Sequence, residues 1–332
     1  MMKVEDAEIP PKPMKEIRLA DYVRFLAQRK SVRIGGKLVE LDGKRPIDRW
    51  GPPIEYRPES YSVWSFPDRG DWATHDGRYR GNWSPYIPRN LIQRFTNPGD
   101  VVLDPMMGGG TTLVECKILG RDALGVDVNL NAVMIARYRL AFRVPPSSGG
   151  GSATIRTYLG DARRLNKIPD DQVDLVATHP PYAGIIRYGS GSVEGDLSEI
   201  APFEGYLQAM GRVASECHRV LKPGKNCAVL VGDTRQHRHY VPISYSVMRE
   251  FANAGFVLLE DIIKLQHKTT SDRSSWRGDR QDFYKIAHEH LFIFRKPLDA
   301  RDARRVALST SAVLGREVKS SPSPHASSMS AR

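Results

Sequence analysis

Val101-Val102-Leu103-Asp104-Pro105-Met106-Met107-Gly108-Gly109-Gly110-Thr111-Thr112-Leu113-Val114-Glu115 is a short apolar run that ends in an acid. It then passes through a glycine cluster and continues with helical spacing to Gly120. Strand, tight loop and helix in that order form the opening unit of a nucleotide-type α/β fold. Glycine lets a backbone turn sharply and approach a ligand closely. Thr111 or Thr112 is placed to cap the helix that follows. A ligand would lie at the carboxyl edge of the strand, where open α/β sheets bind. Taken alone the loop reads equally well as a plain turn, so the segments around it decide.

The pattern continues downstream. Asp122 to Val128 reads as a second strand ending near Asp127, Asn131 to Phe142 as a helix, and Ala153 to Leu159 as a third strand followed by Gly160-Asp161. Val173 to Thr178 is a fourth strand, followed by His179-Pro180-Pro181-Tyr182. Phe203 to Leu221 is a helix closed by Lys222-Pro223-Gly224, Asn226 to Val231 a fifth strand, and Val247 to Ala254 a helix. Phe256 to Leu265 and His290 to Phe294 form a closing strand pair around a loop from His267 to Ala287. Alternating strands and helices predict an α/β fold with a mostly parallel sheet, a closing antiparallel pair and helices on both faces.

Upstream, Met1 to Met14 is charged and proline-rich and predicts a loose tail. Residues 15–63 form an extension that opens with an amphipathic helix over Ile17 to Lys30; Ser31 to Tyr61 gives no clear pattern. Trp64 to Pro88 interleaves Trp64, Trp72, Tyr79, Trp83 and Tyr86 with Arg69, Arg78 and Arg80. Such a segment suits stacking and phosphate contacts. Pro88 to Phe95 reads as a helix with proline in its first turn. The catalytic domain is expected over 64–296, with a flexible loop at Val144 to Ser152. The polar stretch 297–332 predicts disorder.

The 332 residues carry a net charge of +11, which favours a polyanionic partner. Cys116, Cys217 and Cys227 are scattered, without metal-ligand or disulfide spacing, and predict a reducing cytoplasmic setting. We read no signal peptide, no membrane-spanning run and no metal site.

Asp104, Asp127 and Asp161 fall at the ends of successive strands. A carboxylate after the second strand is placed to accept ribose hydroxyls, and one after the third to accept an adenine amino group. In His179-Pro180-Pro181-Tyr182 two prolines remove two backbone donors, so the stretch presents carbonyls beside a ring and a side-chain acceptor. That is a receptor for a planar base bearing an amino group.

Together the two motifs resemble those of the S-adenosylmethionine-dependent DNA methyltransferases that modify exocyclic amino groups, N6 of adenine or N4 of cytosine. Asp104 to Thr112 is similar to that family's D-P-F-x-G-S-G-T-T loop, and His179 to Tyr182 to its (D/N/S)-P-P-(Y/F) motif. Trp83 to Pro88 resembles the segment covering the methionine part of the cofactor, and His288 to Lys296 the final strand. The motif order is gamma-like, and the likeness runs from about Trp64 to Lys296. It implies a Rossmann-like methyltransferase fold, S-adenosylmethionine as cofactor and a DNA base flipped from its stack, as in restriction-modification enzymes. It implies that Asp104, Pro105, Met106, Gly108, Gly110 and Thr111 hold the methionine end of the cofactor. Asp127, Val128 and Asp161 would hold its nucleoside. His179 and the Pro180 carbonyl would take the target amino hydrogens, with Pro181 rigid between them and Tyr182 stacked on the base. His179 departs from the pattern, and an imidazole accepts a hydrogen bond only when neutral.

A C5-cytosine enzyme needs a Pro-Cys nucleophile, which none of the three cysteines provides. A G-x-G-x-x-G dinucleotide site would need glycine at Leu113. RNA base-amine methylation and a non-catalytic nucleic-acid-binding module remain as alternatives. Nucleic acid is expected to meet Gly184 to Gly205 and the basic loop carrying Lys268, Arg273, Arg277 and Arg280.

Overall fold

Val102 and Leu103, Leu175 and Val176, Ala228 and Val229, and Leu291 and Phe292 are sequence neighbours that fall into different hydrophobic clusters. Strand side chains alternate faces, so one sheet separates two buried layers. The computed structural model describes residues 11–34, 36–41, 43, 46–77, 82–146, 152–182, 193–200, 202–267 and 283–316.

The chain enters through β1 (Lys15–Glu16), α1 (Leu19–Gln28) and a hairpin of β2 (Ser31–Ile34) and β3 (Lys37–Glu40). After β4 (Val63–Ser65) and α2 (Tyr86–Phe95) the strand–helix alternation begins. Its first half is β5 (Val101–Asp104), α3 (Thr111–Leu119), β6 (Asp122–Asp127), α4 (Leu130–Arg139) and β7 (Ile155–Leu159). Its second half is β8 (Val173–Thr178), α5 (Phe203–Val220) and β9 (Leu221–Gly232). A small hairpin of β10 (Thr234–Gln236) and β11 (His239–Val241), α6 (Ile243–Asn253), β12 (Val257–Leu265) and β13 (His288–Arg295) follow. The last helices are α7 (Ala300–Arg305) and α8 (Ala307–Leu314).

The main sheet runs β1-β7-β6-β5-β8-β9-β13-β12-β4. Strands β7, β6, β5, β8 and β9 are mutually parallel, and β13 is antiparallel to both β9 and β12. The expected fold class is what the chain adopts. α2, α3 and α4 cover one face, and α5 and α6 the other. The chain builds outward from β5 to β7, then returns to β8 beside β5. That reversal opens a crevice at the carboxyl ends of β5 and β8, where ligands bind in such sheets.

Several expectations are corrected. The N-terminal tail is tighter than its composition suggests: Met14 is buried against Gly160, and β1 pairs with β7. Residues 300–314, expected to be disordered, form α7 and α8. Asp299 caps α7 by accepting from the amides of Arg301 and Asp302, and Asp302 pairs with Arg295 and Arg305. Lys222-Pro223-Gly224 does not end the sheet-ward path but bulges within β9, where the partners of β8 jump from Leu221 to Asn226. Residues 1–10 and 317–332 and the core of the glycine-rich loop, 147–151, lie outside the described residues.

The aromatic segment also reads differently. Trp64, Trp72 and Trp83 are core residues rather than an exposed stacking platform. Arg69 is half-buried beside them, donating to the carbonyls of Asn82 and Trp83, and desolvation pulls its guanidinium down to about 10. Arg78, Tyr79 and Arg80 lie outside the described residues. The segment is fastened by Glu115 of α3, which is fully buried. Its Oε1 accepts from Trp72 Nε1 at 2.7 Å and meets His75 Nε2 at 2.6 Å; its Oε2 accepts from Arg89 Nη1 at 2.8 Å. Burial works to raise this carboxyl, but His75 and Arg89 outweigh it and hold it below the usual range. Burial lowers His75, so a neutral imidazole donates to a carboxylate.

Glu115→Ala should strand all three donors and cost about 3–5 kcal/mol of stability, as losing one member of a buried ion pair does. Urea unfolding measures it. A loss below about 1 kcal/mol, the worth of a single ordinary hydrogen bond, would mean that apolar packing alone holds the segment.

Candidate active site

The glycine loop is held from beneath. Asp104, at the end of β5, is buried, and its two oxygens accept from three groups of the chain. Oδ1 accepts from the Met106 amide at 3.2 Å and from Thr178 Oγ1 at 3.0 Å; Oδ2 accepts from Thr112 Oγ1 at 2.5 Å. Thr112 therefore does not cap α3, and neither does Thr111. The cap is Gly110 in the left-handed region at φ 79°, where a Cβ would come within 2.9 Å of the Ala136 side chain. Burial pushes Asp104 up to about 6 despite these donors.

Above the loop lies a cleft of about 740 Å3 of space, open solvent included. Pro105, Met106 and Gly108 form one wall, and Asp127, Val128 and Asn129 the next. Asp127 faces the cleft while gripping its rim: Oδ2 accepts from the Gly108 amide at 2.9 Å and Oδ1 from the Asn129 amide at 2.8 Å. Burial, aided by the charges of Asp196 and Asp104, pushes its carboxyl up to about 7. Asp161, with Gly160 and Ala162, lines the far side and is held by Arg163 behind it, Nη2 to Oδ2 at 2.7 Å.

The opposite wall is Gly195, Asp196 and Leu197. These residues belong to the segment expected to meet nucleic acid, of which 184–192 and 201 lie outside the described residues. A Cβ on Gly195 would sit 3.0 Å from Asp161 Oδ2, so glycine lets the two walls touch. Among the described residues three carboxylates and no lysine or arginine line the cleft. This set of acceptors suits a cationic, hydroxyl-bearing nucleoside and opposes a pyrophosphate. S-adenosylmethionine, with its sulfonium, ammonium, ribose hydroxyls and adenine amine, fits it.

His179-Pro180-Pro181-Tyr182 leaves β8 directly after Thr178, so Asp104 ties it to the loop. His179 and Pro181 reach the cleft. Tyr206 donates to the Pro181 carbonyl at 3.0 Å and pins the proline pair to α5. His179 Nε2 lies 2.9 Å from the Tyr182 hydroxyl, which donates to Glu289 Oε1 at 2.8 Å. Lys264 Nζ holds Glu289 Oε2 at 2.8 Å. A tyrosine has one hydroxyl proton, and here it goes to the carboxylate. The bond to His179 must then run from Nε2–H to the tyrosine oxygen, so a neutral His179 keeps its lone pair on Nδ1. Burial works to raise Glu289, but Lys264 and His179 outweigh it and keep the carboxyl low. Trp83 stacks on His179 with centroids 6.1 Å apart.

Of the residues expected at the site, Pro105, Met106, Gly108, Asp127, Val128, Asp161, His179 and Pro181 line the cleft. Asp104, Gly110 and Thr111 support it from below, and the Tyr182 hydroxyl turns inward toward Gly232 and Glu289. Lys268, Arg273, Arg277 and Arg280 lie outside the described residues. Sequence reasoning missed Asn129, Asp196, Lys264 and Glu289. Glu289 stood inside the recognised final strand, but nothing in a strand pattern says that its carboxylate reaches a tyrosine 107 positions earlier. Among the described residues no cluster could hold a metal ion, and no helix is long and apolar enough to cross a membrane.

Asp104 and Asp127 should shape stability against pH. Both folded values lie above the ordinary 3.8, so the folded state binds more protons than the unfolded one between about 4 and 7. Stability from this pair is present at low pH and declines as pH rises through that window. Asp127→Asn should flatten the decline between pH 5 and 7 in thermal or urea unfolding. Parallel curves for the variant and the parent would reject the raised value.

Residues 42–137 and 173–325 match the model of the N6/N4 methyltransferases, a family described as DNA methylase. The type II methyltransferase M2.DpnII of Streptococcus pneumoniae is 33% identical over 99 residues, 30% of this chain and 32% of that protein. A tRNA (guanine(10)-N2)-dimethyltransferase of Methanothermobacter thermautotrophicus is 32% identical over 122 residues, 36% of this chain and 32% of that protein. The chain matches about a third of the length of each. A crystal structure of a SAM-dependent methyltransferase from Methanosarcina mazei overlaps 63% of this chain and 98% of that one, at 16% identity and a TM-score of 0.42. Matched over most of its length, the chain belongs to the N6/N4 DNA methylase family.

Proposed function

We propose that the protein transfers a methyl group from S-adenosylmethionine to the exocyclic amine of a cytosine or adenine in DNA. When bound, the cofactor supplies an electrophilic methyl on a sulfonium. Asp127 accepts from the ribose while holding Gly108, since each carboxylate oxygen has a second lone pair. Asp161 faces the adenine end. The target base leaves its stack to enter beside Pro181. His179 Nδ1 and the Pro180 carbonyl each accept one amino hydrogen, turning the nitrogen lone pair toward the methyl group. The surplus proton then passes to His179. Catalysis is chiefly alignment.

The single observation carrying this reading is the chain Lys264–Glu289–Tyr182–His179, which supports a neutral histidine with Nδ1 as its acceptor. Likeness to a tRNA guanine dimethyltransferase favours RNA as the second substrate class. Mass spectrometry of nucleosides, after incubation of DNA or RNA with protein and cofactor, distinguishes the two and identifies the modified base.

His179→Ala should lower transfer at least about a hundredfold, the scale of misaligned reactants, while cofactor still binds by calorimetry. Transfer at the parental rate would remove the acceptor role. His179→Asp restores the family's residue but sets a second carboxylate near Glu289, whose Oε1 is 4.0 Å from His179 Nε2. That variant should be poorly active, and adding Glu289→Gln should recover part of the loss. Strict additivity in this double-mutant cycle would uncouple the two residues.

A further inference from the structure

The hairpin of β10 and β11 has no part in the site described above. It springs from the end of β9, two residues beyond Gly232, where a Cβ would lie 3.0 Å from the Tyr182 hydroxyl. Thr234 to Val241 contains Arg235, His237, Arg238 and His239 and no acid. Residues Gln236 to Tyr240 are exposed. Thr234, Arg235 and Gln236 pair with Val241, Tyr240 and His239, leaving His237 and Arg238 as a two-residue tip.

That tip is built against the backbone's preference. His237 has φ 49° and Arg238 φ 72°, two of the four non-glycine residues in the left-handed region among the described residues. A hairpin turn with both central residues there favours Asn-Gly. Left-handed backbone is costly for a residue with a Cβ, and such strain concentrates where function requires it. Its base is braced at several points. The Tyr240 hydroxyl donates to Asp233, and Ser244 donates to the same carboxylate through its amide at 2.7 Å and its hydroxyl at 2.9 Å. Arg235 donates to the carbonyls of Tyr284 at 2.8 Å and Arg238 at 3.1 Å, and its guanidinium lies 4.9 Å from the Phe283 ring centre. The result is a stiff, cationic ribbon beside the catalytic tyrosine.

From this geometry we infer that the β10–β11 hairpin docks into the groove of duplex DNA next to the target base, with Arg238 on a phosphate. This rests on the DNA reading of the site. A two-stranded ribbon fits the major groove of B-form DNA, whereas the major groove of A-form RNA is too narrow for side chains to read. Rigid placement removes the ordering cost that a flexible basic loop would meet on binding.

The test replaces the tip with the turn that the backbone prefers, His237→Asn with Arg238→Gly. Melting temperature should hold or rise, and cofactor affinity should be unchanged. Affinity for a DNA duplex should fall roughly tenfold, as for one lost charge-assisted hydrogen bond. The log–log salt slope should shrink by about one phosphate contact. Arg238→Lys, which keeps charge at the tip, should retain the slope even if the double variant folds poorly. DNA binding by the double variant with parental affinity and slope overturns the inference while leaving the methyltransferase reading intact. An equal loss of RNA-duplex binding overturns the groove assignment. Failure of the parent protein to bind or methylate DNA overturns both.

Discussion

Asp104 is the carboxylate on which the two halves of the site depend. Its donors are Thr112 at the head of α3, Met106 in the loop and Thr178 at the end of β8. One buried side chain therefore sets the loop over the cleft and the starting point of His179-Pro180-Pro181-Tyr182. All three donors are neutral, and enclosure outweighs them, so the group sits near about 6 rather than in the usual carboxylate range. Asp127 repeats the arrangement one strand over, between the amides of Gly108 and Asn129. Asp104 beneath the loop and Asp127 on the cleft wall are thus costly to ionise. A ligand carrying positive charge and hydroxyl donors relieves that cost, while a phosphate would add to it. Electrostatics selects the cofactor class before any shape argument is made.

The fold was legible because hydrophobic periodicity speaks directly to a sheet with two covered faces. Val173 to Thr178 is buried at every position and read as a strand with correct limits. What sequence could not weigh was tertiary use of polar residues. Asp299, Asp302 and Ser309 look like components of a disordered tail, yet they cap α7, pair with Arg295 and bond the Leu258 carbonyl. The tryptophans and arginines of 64–88 suggested a nucleic-acid surface. Glu115, which holds Trp72 and His75 of that segment, sits in the middle of α3, and that proximity is invisible to spacing.

The site was legible to a similar depth. Strand-end acids and the proline motif are local patterns, and they point to the cleft walls. The wall made by Gly195, Asp196 and Leu197 carries no motif and is recognised only when the chain closes over Asp161. Direction was legible least of all. Tyr182 was expected to stack on a base, and no local pattern says that its hydroxyl is committed inward to Glu289.

That inward commitment accounts for the histidine. In the family's pattern an acid, amide or hydroxyl at this position presents an oxygen to the target amine. Here Glu289 already places a carboxylate 4.0 Å from the His179 ring, neutralised on its other side by Lys264. An acid at 179 would face Glu289 across the tyrosine hydroxyl, and two carboxylates that close cannot both stay ionised. An imidazole resolves the conflict. Its Nε2–H serves the polar chain to Lys264, and its Nδ1 is the acceptor in the function proposed above. The departure at 179 and the glutamate of β13 are therefore one feature of the protein, written at two distant places in its sequence.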